Sequence, residues 1–239
     1  MFTVLLSTHA LNHPPETYIH FKTKNSQPID ISVCLDNNRI FNNSYTKILG
    51  LIVDNTLSWK PPIDHLPNKL STVCYVIRSV KPSVNTNAII MIYHSLFHAV
   101  MTYGIIFWGN SSHSTQVYKM QKRAIRIIMG WGNRESCRNL FKELNILPLM
   151  SQYILSLLTF VSNNREEYFA NSEIHNINTR DTSNLHLPRA HLNIYQKGVY
   201  YSGIKIFNSL PQGIKTYTDN PRTFKKQLKR FYTWIPFTH

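Results

Sequence analysis

The side chains able to act as general acids, general bases or hard-metal ligands are few: twelve carboxylates in 239 residues, with no two aspartates adjacent. Chemistry built on a pair of metal ions needs clustered carboxylates that hold two divalent ions about 4 Å apart. The only adjacent acids are Glu166-Glu167, and Asp36 sits among turn residues in LDNNR. Cys34, Cys74 and Cys137 are odd in number and widely spaced without a CxxC pair, which reads as buried thiols in a reducing compartment. His175, His186 and His191 have no cysteine nearby to complete a usual zinc set. No G-x-S-x-G elbow or H-E-x-x-H helix is present. The residues therefore assign no catalytic group, metal site or cofactor, and no small-molecule substrate.

The cations are a different matter. Against 12 Asp+Glu stand 26 Lys+Arg, a formal net charge of +14. Residues 1–110 carry 8 basic and 5 acidic groups, whereas residues 111–239 carry 18 and 7. A polyanion is the partner such a surface attracts. Lys119, Lys122, Arg123 and Arg126 recur at helical spacing and share one face, Arg134 follows, and Lys225, Lys226, Lys229 and Arg230 form a second cluster. Cations so placed can track a phosphate backbone without reading sequence. Tyr118 and Trp131 lie within reach of the first cluster as candidate stacking residues.

These groups must be held by a fold of the α+β class. With 43% apolar and 12% aromatic residues the chain has enough core-forming side chains to exclude global disorder. TYIHF, IDISV, RIF and KILGLIV, separated by turn signals such as Asp36-Asn37-Asn38, predict a small antiparallel sheet. From Ile63 the period turns helical, with Ile63, Leu66, Leu70, Val73, Cys74 and Ile77 on one face and Pro67 expected to kink or delay the helix. Further helices are expected over 86–103, over 114–129 with Met120, Ala124 and Ile127 inward, and then through CRNLFKEL and SQYILSLLTFVS. Residues 163–197, rich in Asn, Thr, Ser and His, predict a long surface connection with at most a brief strand pair. GVYYSGIKIFNSLP reads as a core helix, and Asn220-Pro221 as the cap and first residue of a last helix with Phe224, Leu228 and Phe231 inward.

Ala88 to Trp108 runs 21 residues without Lys, Arg, Asp or Glu, long enough to span a bilayer. Its stripe of Ile89, Ile92, Tyr93, Leu96, Phe97, Val100 and Met101 against His94, Ser95, His98 and Thr102 favours a core helix, so a basic protein anchored by 88–108 is the lesser reading. The start, MFTVLLSTHALNHPP, lacks a basic n-region and an apolar stretch of proper length. An intracellular location, cytoplasmic or nuclear, is expected, not secretion.

Four stretches in order carry a family resemblance: YTKILGLIVDNTLSWKPPIDHL at 45–66, YHSLFHAVMTYGIIFWGNSS at 93–112, QKRAIRIIMGWGNRESCRNLFKELNILPL at 121–149, and IHNINTRDTSNLHLPRAHLNIYQKGVYYSGIKIFNSLPQGIK at 174–215. Together they resemble the C-terminal part of reverse transcriptases, RNA-directed DNA polymerases, encoded by non-LTR retrotransposons of the insect jockey-like kind. The resemblance covers residues 11 to 232. It implies an end of the palm with a primer-grip hairpin over 11–58, a helical thumb over 59–165 and a loop-rich, basic region over 166–239, with 1–10 unplaced. In that frame Lys47, Leu49, Gly50 and Asp54 would belong to the primer-grip strand and turn.

The resemblance also marks departures. The family's Phe-Ala-Asp-Asp strand and its earlier aspartate are not in this sequence, and Pro15-Glu16 stand where the family usually has Lys-Thr. Mg²⁺ is then expected only in an intact parent polymerase. The expectation is a truncated, non-catalytic remnant with residual binding of RNA, DNA or their hybrid. A separate palm-containing polypeptide is a second candidate partner, and a sequence-tolerant binding module in its own right is the alternative.

Overall fold

The computed structural model describes residues 3–6, 17–23, 25–26, 32–35, 38–174 and 184–234. His175, Asp36-Asn37 and most of IDISV lie outside them, as does the Pro15-Glu16 departure. The chain is mixed α+β and divides into two compact units, Met1–His65 and Leu66–His239.

The first unit holds the strands. β1 (Thr3–Leu6), inside the unplaced 1–10, pairs antiparallel with β2 (Thr17–His20), and β3 (Val33–Leu35) pairs antiparallel with β4 (Asn38–Asn42). β2 and β4 run parallel, so the sheet, in order β1-β2-β4-β3, is mixed rather than antiparallel throughout. A second correction concerns KILGLIV, which is two strands. β5 (Tyr45–Ile48) and β6 (Leu51–Asp54) form a hairpin with Ile48 opposite Leu51. Leu49 at φ 47° and Gly50 at φ 83° make the two-residue turn with positive φ at both positions, the type I′ geometry whose twist matches that of paired strands. Glycine adopts that angle at no steric cost, and Leu49 does so 87% exposed.

α1 (Lys60–Val80) begins at the end of the first unit and is continuous through Pro67, so that proline neither delays nor ends it. Pro61 and Pro62 stand in its first turn, where the missing N–H groups cost nothing. Ile63, Leu70, Cys74 and Ile77 are buried as the period requires, with Leu66 and Val73 half-buried.

In the second unit, α2 (Thr86–Ile92) is capped by Asn85, whose side-chain oxygen accepts from the Ala88 N–H at 2.8 Å. It passes into a π-helical turn (Tyr93–His98) and then α3 (Ala99–Thr102). The buried positions Ile89, Tyr93, Phe97 and Met101 are spaced by four. A straight α-helix carries such a stripe about 40° round its surface per step. The wider π turn absorbs that drift, and it leaves Leu96 exposed and Ile92 and Val100 half-buried, contrary to the stripe read from the sequence. The segment 88–108 is thus broken, and its last part is α4 (Ile105–Trp108) after Gly104. Among the described residues no helix is long and apolar enough to cross a membrane.

α5 (Ser114–Met129), α6 (Arg138–Glu143) and α7 (Leu149–Asn163) follow, α7 twelve residues in the sequence reading and fifteen here. The short helices α8 (Asn171–Ile174), α9 (Asn193–Gln196) and α11 (Gln212–Lys215) have no counterpart in the sequence reading; α10 (Val199–Asn208) and α12 (Pro221–Trp234) do. Thr223 N–H donates to Asn220 Oδ1 at 3.1 Å, so the Asn-Pro start of α12 works as its residue types require.

α7 packs against both α10 and α12. Leu158, Val161, Ile204, Phe207, Phe224 and Leu228 belong to one apolar core there. A Cβ on Gly203 would stand 2.8 Å from Val161 Cγ2, so the missing side chain sets how closely α10 approaches α7. The 163–197 connection is not a pure surface loop, because Tyr168 and Leu185 enter the same core. Asn208 holds it there: its Oδ1 accepts from Leu185 N–H at 2.9 Å and its Nδ2 donates to Leu185 C=O at 2.8 Å, completing a strand-like pairing with one side chain.

Candidate nucleic-acid interface

α5 divides into two faces. Val117, Gln121, Ala124, Ile125 and Ile128 are buried, which moves the inward stripe away from Met120 and Ile127, both half-buried. Lys119, Lys122, Arg123 and Arg126 fall within an arc of about 100° on the opposite side, since successive residues turn by about 100°. Lys119 and Arg123 are exposed, while Lys122 and Arg126 are half-buried because neighbouring groups hold them.

The C-terminus of α5 fixes what comes after. Gly130, at φ 77°, ends the helix in a Schellman arrangement, with Trp131 N–H on Arg126 C=O at 2.9 Å and Gly130 N–H on Ile127 C=O at 3.3 Å. Lys81 Nζ donates to the same Ile127 carbonyl at 2.8 Å, a cation at the negative end of the helix dipole. Arg126 then reaches the next loop, its Nε and Nη2 donating to Glu135 C=O at 2.8 and 2.7 Å. Lys122 Nζ lies 4.8 Å from the centroid of Tyr118, whose ring also stacks with Phe141 at 6.3 Å. Tyr118 is thereby engaged within the fold, whereas Trp131, 47% exposed, stands open just past the helix end.

The outcome is a cleft of about 320 Å³ bordered by α5, the 134–137 loop, α6, residues 146–148 and the end of α12. Among the described residues five cations line it: Lys122, Arg126, Arg134, Arg138 and Lys142. Glu135, the one acid among the described lining residues, accepts from Gly132 N–H at 3.3 Å. Cys137 is 5% exposed in its wall; burial pushes the thiol up, and the Arg126 and Lys122 charges offset that only in part. Arg138 and Lys142 were not singled out from sequence. Their i, i+4 spacing in CRNLFKEL was the signal for them, hidden by the brevity of the helix.

The second cluster lies elsewhere on the same unit. Lys225, Lys226, Lys229 and Arg230 are all exposed on α12, opposite its buried Phe224 and Leu228, with Phe231 only half-buried. Lys229 acts on the π turn: burial first, and then its charge, lower the basicity of His94. His98 is likewise lowered by burial, against a hydrogen bond with Gln152 at 3.3 Å that works the other way.

In the first unit Lys47, Leu49 and Gly50 are exposed at the hairpin, but Asp54 is 8% exposed and turned to backbone work. Its carboxylate accepts from Thr56 Oγ1 at 2.5 Å, Ser58 N–H at 3.1 Å and Trp59 N–H at 3.1 Å. Burial would raise its pKa, and these bonds together outweigh burial and hold it below the ordinary value. Among the described residues no group of three or more His, Cys, Asp or Glu is placed to hold a metal ion. Comparison of the chain with protein-family models, with curated proteins and with solved structures gives no match.

Proposed function

We propose that this chain is a phosphate-contacting, sequence-tolerant nucleic-acid-binding segment, related to the thumb end of a jockey-like non-LTR retrotransposon reverse transcriptase, that does not polymerise by itself. The observation carrying this reading is the division of α5: a cationic face set opposite a fully buried one, running into a cleft with five cations and one acid among the described residues. Phosphate contacts need charge and reach, not base edges. The family relation rests on the four ordered stretches, and the lack of an adjacent aspartate pair supports the non-catalytic part.

The test is fluorescence anisotropy of labelled RNA, DNA and hybrid oligonucleotides from 50 to 300 mM salt. Log affinity is expected to fall linearly with log salt. Replacing exposed Lys119 and Arg123 with alanine should flatten the duplex slope by about 0.9 for each phosphate no longer neutralised. Unchanged affinity and slope would remove α5 from the interface. In a parallel primer-extension assay with Mg²⁺ or Mn²⁺ no product is expected, and templated synthesis would refute the non-catalytic reading.

A further inference from the structure

The shape of the α5–α6 cleft says more than its charge. A continuous duplex backbone is met by a convex or flat run of cations, as on exposed Lys119 and Arg123, whereas Lys122, Arg134, Arg138 and Lys142 line a concavity of about 320 Å³. That volume is at the small end of ligand-sized sites. It suits one nucleotide and excludes a double helix.

The lining is also of two kinds. Beside the cations stand the half-buried Pro148 and the half-buried Tyr232 of α12, with Phe141 and Ile146 only 4% and 2% exposed. An isolated phosphate would gain nothing from that apolar wall, while a nucleotide has an anionic end for the cations and a flat apolar face for the wall. Part of the site is held in place before any ligand arrives: the Tyr118 ring lies under the Lys122 ammonium, and Arg126 pins the 134–137 loop through the Glu135 carbonyl. Such fixing lowers the ordering cost of binding.

We infer that this cleft takes a single unpaired nucleotide of a nucleic-acid strand, its phosphate on Lys122, Arg134, Arg138 and Lys142 and its base against Tyr232 and Pro148. The inference rests on the nucleic-acid-binding reading above and adds to it a preference for single strands. The preference inferred is for unpaired structure and not for sequence.

The experiment uses the full chain with fluorescein-labelled (dT)₁₂, (dA)₁₂ and their duplex, and with dTMP and inorganic phosphate as competitors. Each single strand should bind at least tenfold more tightly than the duplex, and dTMP should compete at lower concentration than phosphate. Arg138→Ala with Lys142→Ala, both at exposed positions, should weaken single-strand binding about tenfold and flatten its salt slope by about 0.7 for each phosphate left without its cation. Tyr232→Ala should weaken single-strand binding and leave duplex binding on α5 unchanged, with circular dichroism reporting that both variants fold. Equal affinity for single strand and duplex, or unaltered single-strand binding by the Arg138/Lys142 variant, would overturn the cleft assignment while the broader reading stands. Absence of binding to every oligonucleotide would overturn both.

Discussion

Gln121 ties three separate elements together from one buried position. It is fully buried on α5, and its amide is satisfied three ways: Nε2 donates to Tyr93 Oη at 3.0 Å and to Leu147 C=O at 2.9 Å, and Oε1 accepts from Leu149 N–H at 2.8 Å. One side chain thus joins the π turn, the 144–148 loop and the start of α7. Burial pushes the Tyr93 hydroxyl far up, with the Gln121 bond acting against that push, so the phenol stays protonated and its oxygen is the acceptor. Replacing Gln121 by leucine preserves volume but strands a hydroxyl, a carbonyl and an N–H in the core. Each buried polar group left unpaired costs about 1–3 kcal/mol. The Gln121→Leu chain is expected to lose about 3 kcal/mol in urea unfolding, whereas Tyr93→Phe, which leaves a single Gln121 N–H unpaired, should lose about 1 kcal/mol. Equal losses would mean that the three bonds do not act through one node.

At the scale of elements, periodicity made the long helices legible. α5 was placed at both ends, and the Asn220-Pro221 start of α12 followed from residue type alone. What escaped were features that break a period. The π turn reassigns Leu96 from the core to solvent, and Gln121 is a polar residue at a core position whose partners lie 26 and 28 residues away. The β2–β4 parallel pairing also depends on long-range register, which local alternation does not encode.

The junction from β6 to α1 ties its stability to pH through one carboxylate. Leu57 and Trp59 sit at φ 48° and 59°, left-handed angles that cost about 1–2 kcal/mol each for residues with a Cβ. The Asp54 carboxylate offsets that cost by accepting from Thr56, Ser58 and Trp59. Because its folded pKa lies below the ordinary value of about 3.9, its contribution is complete above that value and is lost as pH falls through the folded pKa. Hydrogen exchange at Ser58 and Trp59 should therefore accelerate below about pH 4 relative to neighbouring amides, after correction for intrinsic rates. Asp54→Asn should remove that pH dependence, while Asp54→Ala should lose about 2 kcal/mol at pH 7. A wild-type profile no different from that of Asp54→Asn would contradict the role given to the carboxylate.

Over the whole molecule the charge is a structural cost before it is a function. Twenty-six cations against 12 anions repel one another most when the chain is compact, so folding works against a positive potential that counterions relieve. The candidate site was half legible for the same reason: charge density pointed to the region after residue 110, but only folding shows that α5 and α6 bring Lys122, Arg134, Arg138 and Lys142 around one concavity. The two effects separate by their salt dependence. Self-repulsion predicts that the thermal midpoint rises from 20 to 200 mM NaCl, because the Debye length shrinks below the spacing of surface charges. A bound polyanion predicts the reverse trend in its own increment. Adding (dT)₁₂ should raise the midpoint by a ligand-linkage term that is large at 20 mM and gone at 500 mM, since binding releases counterions into a bath that already holds them. If the midpoint climbs with salt but (dT)₁₂ adds nothing at 20 mM, the +14 acts only as a destabilising field. If (dT)₁₂ raises the midpoint, and Arg138→Ala with Lys142→Ala abolishes that rise while leaving the salt trend intact, the excess charge is divided between a general surface potential and one cleft that uses it.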